Sequence, residues 1–211
     1  MTIFRRIFFI SSLLLLTGPA FAADKLVVAF GDSLMAGYRL GPNDGFAPQL
    51  QSALLRSGVP ATVQAAGVSG DTTAQGRARL GWVLGALKAK PDLVIVELGA
   101  NDMLRGLSPQ QAEANLDAIL AELRKRKINT MLAGMMASPN LGGDYGRAFN
   151  PIFPRLARKY GVAFYPFFLD GQVGNRQLTI DDGMHPNRAG VAVIVKRILP
   201  SVRHALALRQ K

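Results

Sequence analysis

Short apolar runs alternate with longer amphipathic segments along most of the chain. Five runs rich in apolar and β-branched residues predict strands, at positions 25–30, 61–65, 93–98, 129–134 and 162–165. Apolar residues at helical spacing predict five helices, at positions 46–57, 72–89, 108–125, 150–160 and 187 to about 208. Strands that alternate with helices of this length predict an α/β domain whose parallel sheet is covered on both faces.

Polar clusters follow several of the predicted strands at the points where these strands end. Ser33 lies in Gly-Asp-Ser after the first strand, Gly70 lies in a glycine-rich loop after the second, and Asn101 follows the third. A fourth cluster, with Asp182 and His185, comes just before the last helix. Ligand sites of open α/β sheets lie at the carboxyl ends of the strands, so we expect these residues to meet in one site.

Residues 1–22 have the pattern of a secretory signal peptide. Arg5 and Arg6 precede an apolar run at 7–16, and Ala20-Phe21-Ala22 ends the segment, which predicts cleavage after Ala22. The run is about half of the ~20 residues that a membrane-spanning helix needs, so no stable membrane span is expected. We therefore expect an exported, periplasmic protein made of residues 23–211, with secretion from the cell as the alternative.

Charge and composition exclude several functions. The chain carries 25 Lys and Arg against 14 Asp and Glu, and loss of Arg5 and Arg6 lowers its net charge from +11 to +9. The basic residues are scattered, which favours peripheral contact with anionic lipids over nucleic-acid binding. Zero Cys excludes thiol catalysis, and two His are too few for a multi-His metal site. No metal or organic cofactor is predicted.

A serine nucleophile needs a neighbouring base, and this chain has two histidines to supply it. His204 lies in the last predicted helix among surface-type residues, which favours a solvated side chain. His185 lies in a loop beside two carboxylates and is the better base. Asp182, three residues before it, can fix its tautomer, and Asp181 is the alternative partner.

Other conspicuous residues have structural interpretations. Asp32, Asp71 and Asp102 each adjoin or lie close to a candidate site residue, and we expect them to hold loops through hydrogen bonds to backbone N–H groups. Trp82 lies at helical spacing among apolar residues, and we expect it in the core.

Four blocks of the sequence, GDSLMAGY, GVSGDTT, ELGANDMLRG and DDGMHPN, resemble the four ordered blocks of the SGNH (GDSL) hydrolases. The similarity is greatest to the thioesterase, lysophospholipase and arylesterase members. It implies a flavodoxin-like three-layer α/β/α sandwich with a five-stranded parallel sheet over residues 23–211. It also implies a nucleophile at Ser33, a base at His185 and an acid at Asp182. The implied oxyanion donors are the backbone N–H groups of Ser33 and Gly70 and the side chain of Asn101.

The resemblance implies hydrolysis of small carboxylic ester or thioester substrates of acyl groups. Candidate apolar walls for the acyl chain lie near the four blocks: Leu34, Met35, Tyr38, Leu104, Leu107, Leu141 and Met184. Residues 139–145 lack the tyrosine- and arginine-containing stretch of the thioesterase-like members, so an arylesterase-like or short-chain preference is an alternative. Two further hypotheses are an envelope carbohydrate O-acetyl esterase and a non-catalytic lipid-binding protein.

Overall fold

A computed structural model describes residues 24–208, so the predicted signal peptide lies outside the described residues. Within them, five parallel strands form one sheet in the order β2-β1-β3-β4-β5. The strands are β1 (Lys25–Gly31), β2 (Ala61–Gly67), β3 (Leu93–Glu97), β4 (Thr130–Ala133) and β5 (Ala163–Tyr165). All five predicted strands are confirmed, with ends that differ by one or two residues.

Helices cover the sheet as two packed groups. In one group α2 packs against α8, and in the other α5 packs against both α3 and α7. Within the described residues the helices are α1 (Ser33–Ala36), α2 (Phe46–Arg56), α3 (Thr73–Gly85), α4 (Ala100–Leu104), α5 (Pro109–Lys125), α6 (Gly143–Phe149), α7 (Ile152–Tyr160) and α8 (Arg188–Ala207). The predicted flavodoxin-like α/β/α architecture is therefore correct.

The burial of each strand follows from its place in the sheet. Every residue of the central strands β3 and β4 is buried, as expected for parallel strands covered on both faces. The edge strand β2 instead buries Val63 and exposes both of its neighbours in the chain. One buried residue of β3 is polar: Glu97 ends the otherwise apolar strand.

The prediction for Trp82 was wrong. Its side chain is 77% exposed, although it lies in α3 beside Val83. Leu80 and Val83 point toward the core, and Trp82, two residues after Leu80, lies about 200° around the helix from it. Trp82 therefore faces solvent.

The strand order places the crevice of the fold between β1 and β3. The chain runs from β1 outward to β2 and then returns to the other side of β1 to form β3. This reversal is the switch point at which open α/β sheets bind ligands. Across residues 24–208 no helix has the length and apolar character needed to cross a membrane.

Candidate active site

Ser33 lies in a tight turn at the end of β1, where it is the first residue of α1. The Asp32 carboxylate caps this helix, since its Oδ1 accepts a hydrogen bond from the Leu34 N–H at 3.0 Å. Gly31 leaves room for the turn: a Cβ there would lie within 3 Å of Met35 and Glu97. Ser33 is thus presented at the carboxyl edge of the sheet by a local fold that its sequence neighbours specify.

The loop before α8 presents His185 to the same edge. An antiparallel bridge joins Thr179 to Pro186, and the Ile180 N–H donates to the His185 carbonyl at 2.9 Å. Gly183, with φ +71°, takes the left-handed conformation that closes the turn. The loop therefore holds Asp182 and His185 on either side of this glycine.

Hydrogen-bonding distances connect Ser33, His185 and Asp182. Ser33 Oγ lies 2.9 Å from His185 Nε2, and His185 Nδ1 lies 2.7 Å from Asp182 Oδ2. Ser33 is 9% exposed, and the side chains of His185 and Asp182 are partly covered. This arrangement can transfer a proton from a serine hydroxyl to an imidazole whose tautomer a carboxylate fixes.

Further contacts hold the Asp182 carboxylate in its ionised form. Its Oδ1 accepts the backbone N–H groups of Met184 at 2.8 Å and His185 at 2.9 Å. Burial opposes ionisation, but these hydrogen bonds and the imidazole lower the pKa of Asp182 below its ordinary value. Asp181 pairs instead with Arg39. The choice of Asp182 over Asp181 as the partner of His185 agrees with the geometry.

Tyr38 lies beside the candidate site, whereas the second histidine, His204, lies away from it. The Tyr38 ring packs against the His185 imidazole, with ring centroids 4.7 Å apart and planes tilted by 43°. His204 is exposed on α8, as predicted. Within residues 24–208, no three His, Asp or Glu side chains gather into a group that could hold a metal ion.

Asn101, in the first turn of α4, and Gly70, in the loop after β2, belong to segments that meet beside Ser33. Asn101 Nδ2 lies 2.9 Å from the Asp71 carbonyl and 3.1 Å from Asp32 Oδ2. It therefore ties the loop after β2 to the nucleophile turn. Gly70, with φ +87°, precedes Asp71 in that loop, and its carbonyl accepts a hydrogen bond from Arg105 at 2.7 Å.

A cavity of about 700 Å³ opens beside Ser33, Asn101 and His185. Much of its wall is apolar and comes from α4, from the segments that follow β4 and β5, and from the histidine loop. The apolar wall residues include Leu34, Met103, Leu104, Met135, Met136, Phe167, Leu169, Val173 and Met184. The polar atoms at the mouth thus face a space suited to an aliphatic or aromatic acyl group.

A family model, the GDSL-like lipase/acylhydrolase family, matches residues 29–193. The chain belongs to this family of SGNH hydrolases. It is 39% identical over 196 residues to the thioesterase 1/protease 1/lysophospholipase L1 of Escherichia coli strain K12, covering 91% of each chain. It is 38% identical to an arylesterase of Vibrio mimicus, over 81% of this chain and 84% of that one.

Solved structures give the same assignment. AlinE4, an SGNH-hydrolase family esterase, superimposes with a TM-score of 0.76 at 45% identity, over 90% of this chain and all of that one. The similarity spans the whole α/β domain rather than isolated motifs. The chain is therefore an esterase or thioesterase of the SGNH family.

Seven apolar residues were predicted to bind substrate, and three of them line the cavity beside Ser33: Leu34, Leu104 and Met184. Met35 is 1% exposed because it points into the core beneath the nucleophile turn. Tyr38 covers His185 from outside the cavity wall. Leu107 and Leu141 are not part of this wall, and Leu141 packs against the core instead.

Sequence reasoning missed the wall that follows β4 and β5. Met135 and Met136 come directly after the end of β4, and Leu169 and Val173 lie in the loop after β5. The rule that sites form at the carboxyl ends of strands could have identified the two methionines. Leu169 and Val173 lie in irregular backbone, so no periodicity marks them.

The acidic residues around the SGNH site differ in their contacts. Asp32 and Asp102 accept backbone N–H groups, as predicted, from Leu34 and Thr73. Asp71 instead forms an ion pair with Arg79 on α3, so the expectation of a backbone contact was wrong there. Burial raises the pKa of Asp32 to about 6, although the Leu34 N–H lowers it.

Proposed function

We propose that this SGNH protein hydrolyses carboxylic esters and thioesters of acyl groups with Ser33 as nucleophile, His185 as base and Asp182 as its partner. The observation that supports this proposal most strongly is the unbroken series of contacts from Ser33 Oγ through the His185 imidazole to Asp182. Three side chains from two loops meet in the order that nucleophilic catalysis requires.

The proposed reaction begins when Ser33 Oγ attacks the substrate carbonyl carbon while His185 Nε2 takes the hydroxyl proton. The tetrahedral oxyanion accepts hydrogen bonds from the backbone N–H groups of Ser33 and Gly70 and from the Asn101 amide. The C–O or C–S bond then breaks, and His185 returns the proton to the leaving alcohol or thiol. Water, deprotonated by His185, then attacks the carbonyl carbon of the acyl-serine ester. The bond between that carbon and Ser33 Oγ breaks, His185 returns the proton to Oγ, and the carboxylic acid leaves.

Two carboxylates favour the imidazolium that forms during each step. Asp182 contacts His185 directly, and the buried Asp32 lies on the serine side, with Oδ1 3.5 Å from Ser33 Oγ. Opposite charge near an imidazole favours its protonated form. The Tyr38 ring covers one side of the imidazole and limits its contact with water.

The acyl group occupies the cavity beside Ser33. Its wall is mainly apolar, and each methylene buried there contributes about 0.8 kcal/mol. The relatives are named as a thioesterase and lysophospholipase and as an arylesterase, so both thioesters and aryl esters are substrates to test.

The direct test is hydrolysis of p-nitrophenyl esters from acetate to palmitate and of acyl-CoA thioesters of matching length. We expect turnover by the wild type and a loss of at least about 10³-fold in Ser33→Ala. Ser138→Ala is a matched control, because Ser138 lines the same cavity without a hydrogen bond from its hydroxyl to a histidine among the described residues. Turnover that survives in Ser33→Ala contradicts the proposed nucleophile.

The same experiment separates the competing functions. A rate that rises with acyl length supports a thioesterase or lysophospholipase type, and a maximum at acetate or butyrate supports an arylesterase type. Activity confined to acetylated envelope carbohydrates supports the O-acetyl esterase. Acyl-chain binding without turnover supports a non-catalytic lipid-binding protein.

We also propose export to the periplasm by a signal peptide at residues 1–22, and peripheral contact of the mature protein, of net charge +9, with anionic lipids. The mass of the protein recovered from the periplasm tests the first proposal, which requires an N-terminus at Ala23. Salt-sensitive sedimentation with anionic but not neutral vesicles tests the second.

A further inference from the structure

Glu97 is a fully buried carboxyl group at the carboxyl end of β3 that the proposed reaction does not use. Its exposure is 0%, and so is that of Asp32. Glu97 pairs with Gly31 in the register of β1 and β3, so its carboxyl group lies beside the residue that precedes Asp32. Among the described residues, no group gives a hydrogen bond to either Glu97 carboxyl oxygen.

The position of Glu97 is fixed by the nucleophile turn. A Cβ on Gly31 would lie 2.8 Å from Glu97 Oε2, so the glycine allows the carboxyl group to approach the backbone just before Asp32. Glu97 therefore lies behind the turn that carries Ser33, on the side away from the cavity mouth.

The charged groups around this pair do not neutralise it. On α3, Arg79 reaches β1 but pairs with Asp71 and donates to the carbonyls of Gly31 and Ala66. On α4, Asp102 is satisfied by the N–H and hydroxyl groups of Thr73. Burial raises the pKa of Asp32, whereas the Leu34 N–H and the nearby His185 lower it.

The hydrogen bonds decide which carboxyl group holds the proton. Two adjacent carboxylates with no cation between them cannot both be ionised in a buried site. Asp32 accepts hydrogen bonds from the Leu34 N–H and the Asn101 amide, and these favour its ionised form. Neither Glu97 carboxyl oxygen has a donor within hydrogen-bonding distance, so the proton belongs on Glu97.

We propose that Glu97 is a positioning residue that stays protonated at neutral pH and donates its O–H to the Asp32 carboxylate. Its contribution to rate rests on the proposed function, since it acts through Asp32 on Asn101 and on the Ser33 turn. Burial, followed by the charge of Asp32, raises the pKa of Glu97 well above its ordinary value, in agreement with this role.

The hydrogen bond from Glu97 matters most when the oxyanion forms. Both N–H groups of the Asn101 amide are engaged, one with the Asp71 carbonyl at 2.9 Å and one with Asp32 Oδ2 at 3.1 Å. Asn101 must give up one of them to donate to an oxyanion. When the Asp32 contact is released, the Glu97 O–H keeps the buried Asp32 carboxylate satisfied and lowers the cost of that release.

The protonation of Glu97 can be tested without any activity measurement. We expect the melting temperature of Glu97→Gln to rise relative to that of the wild type between about pH 5 and pH 7. The unfolded wild type loses the Glu97 proton in this range while the folded protein keeps it, so the folding equilibrium constant of the wild type falls by up to about tenfold per pH unit. An acid whose pKa is higher in the folded state than in the unfolded state thus makes folding less favourable as the pH increases.

Glu122→Gln is the matched control for this comparison. Glu122 pairs with Arg126 on the surface of α5, and that contact lowers the pKa of Glu122. Its difference in melting temperature from the wild type should not change across the same pH range. A pH-independent difference for Glu97→Gln as well would overturn the assignment of a protonated Glu97.

The positioning role has its own kinetic test. We expect Glu97→Gln, whose amide still donates to Asp32, to keep kcat within about threefold and to leave the acid limb of the kcat/KM profile in place. Glu97→Leu removes the donor and should lower kcat by about 10-fold or more with little change in KM. Equal losses in both variants, or a shift of the acid limb in Glu97→Gln, would contradict the role. If the wild type has no turnover, the proposed function fails, and the melting experiment still decides the protonation of Glu97.

Discussion

The carboxylate of Asp182 holds His185 at two points. Its Oδ2 lies 2.7 Å from the imidazole Nδ1, while its Oδ1 accepts the backbone N–H of the same residue at 2.9 Å. Both contacts span three residues around one glycine, so a short loop is enough to orient the proposed base.

Asp182→Asn should therefore lower kcat by about 10²–10⁴-fold, because an amide at this position does not fix the tautomer or favour the imidazolium. Asp181→Asn is the matched control, since Asp181 pairs with Arg39 at the surface. Its kcat should stay within about twofold of the wild type. Comparable losses in the two variants, measured on the same ester, would mean that Asp182 has no special role.

Asn101→Ala should lower kcat by about 10²–10³-fold with a small change in KM, because an oxyanion donor acts mainly in the transition state. Asn140→Ala is the control, since Asn140 lines the same cavity with an exposed side chain. Steady-state kinetics on one ester test this expectation. A rise in KM at constant kcat would instead place Asn101 in substrate binding.

Met136→Ser should raise KM for an octanoyl ester by about 5–10-fold and leave acetate hydrolysis unchanged, because it removes apolar surface from the cavity wall. Leu107→Ser removes a comparable apolar side chain outside that wall and should change neither value. If the KM for the octanoyl ester changed in Leu107→Ser and not in Met136→Ser, the acyl chain would bind outside this cavity.

Asp92 should stabilise the fold at neutral pH and lose that effect in acid. Its carboxylate accepts the Leu26 N–H and pairs with Lys25, each at 2.9 Å. Burial opposes ionisation, but these contacts lower the pKa of Asp92 below its ordinary value of 3.8. The stabilisation is thus present above about pH 4 and disappears as the pH falls through the lowered pKa.

Asp92→Asn should be less stable than the wild type by about 0.5–1 kcal/mol at pH 7, a small value because the pair is partly exposed. The two proteins should converge below about pH 3. Urea unfolding at both pH values measures the difference. A difference that persists unchanged in acid would show that packing, not charge, accounts for the effect.

The fold could be predicted from sequence because short apolar runs define the five strands and amphipathic segments define the longer helices. The helices α1, α4 and α6 are at most seven residues long, too short to show periodicity, and were missed. The prediction that Trp82 lies in the core was wrong because a pattern of several apolar residues does not by itself fix which side of a helix faces the core.

The candidate site could be predicted from sequence where its residues lie close together in the chain or just after a strand. Asp182 and His185 lie in one turn, and Ser33 lies two residues after the end of β1, so sequence order alone brings them to one edge of the sheet. The pairing of Glu97 with Gly31, next to Asp32, joins residues 66 positions apart across two neighbouring strands. Such a contact depends on strand register, which a single sequence does not reveal.

The most direct test of the proposed serine mechanism is covalent labelling with a fluorophosphonate, followed by peptide mass spectrometry. A serine activated by a neighbouring imidazole attacks the phosphorus of this reagent, displaces fluoride and keeps the phosphonyl group. We expect one adduct, on the peptide that contains Ser33, formed in step with loss of ester hydrolysis and absent in Ser33→Ala. Full hydrolytic activity after complete labelling of Ser33, or an inactivating adduct on another residue, would contradict the mechanism.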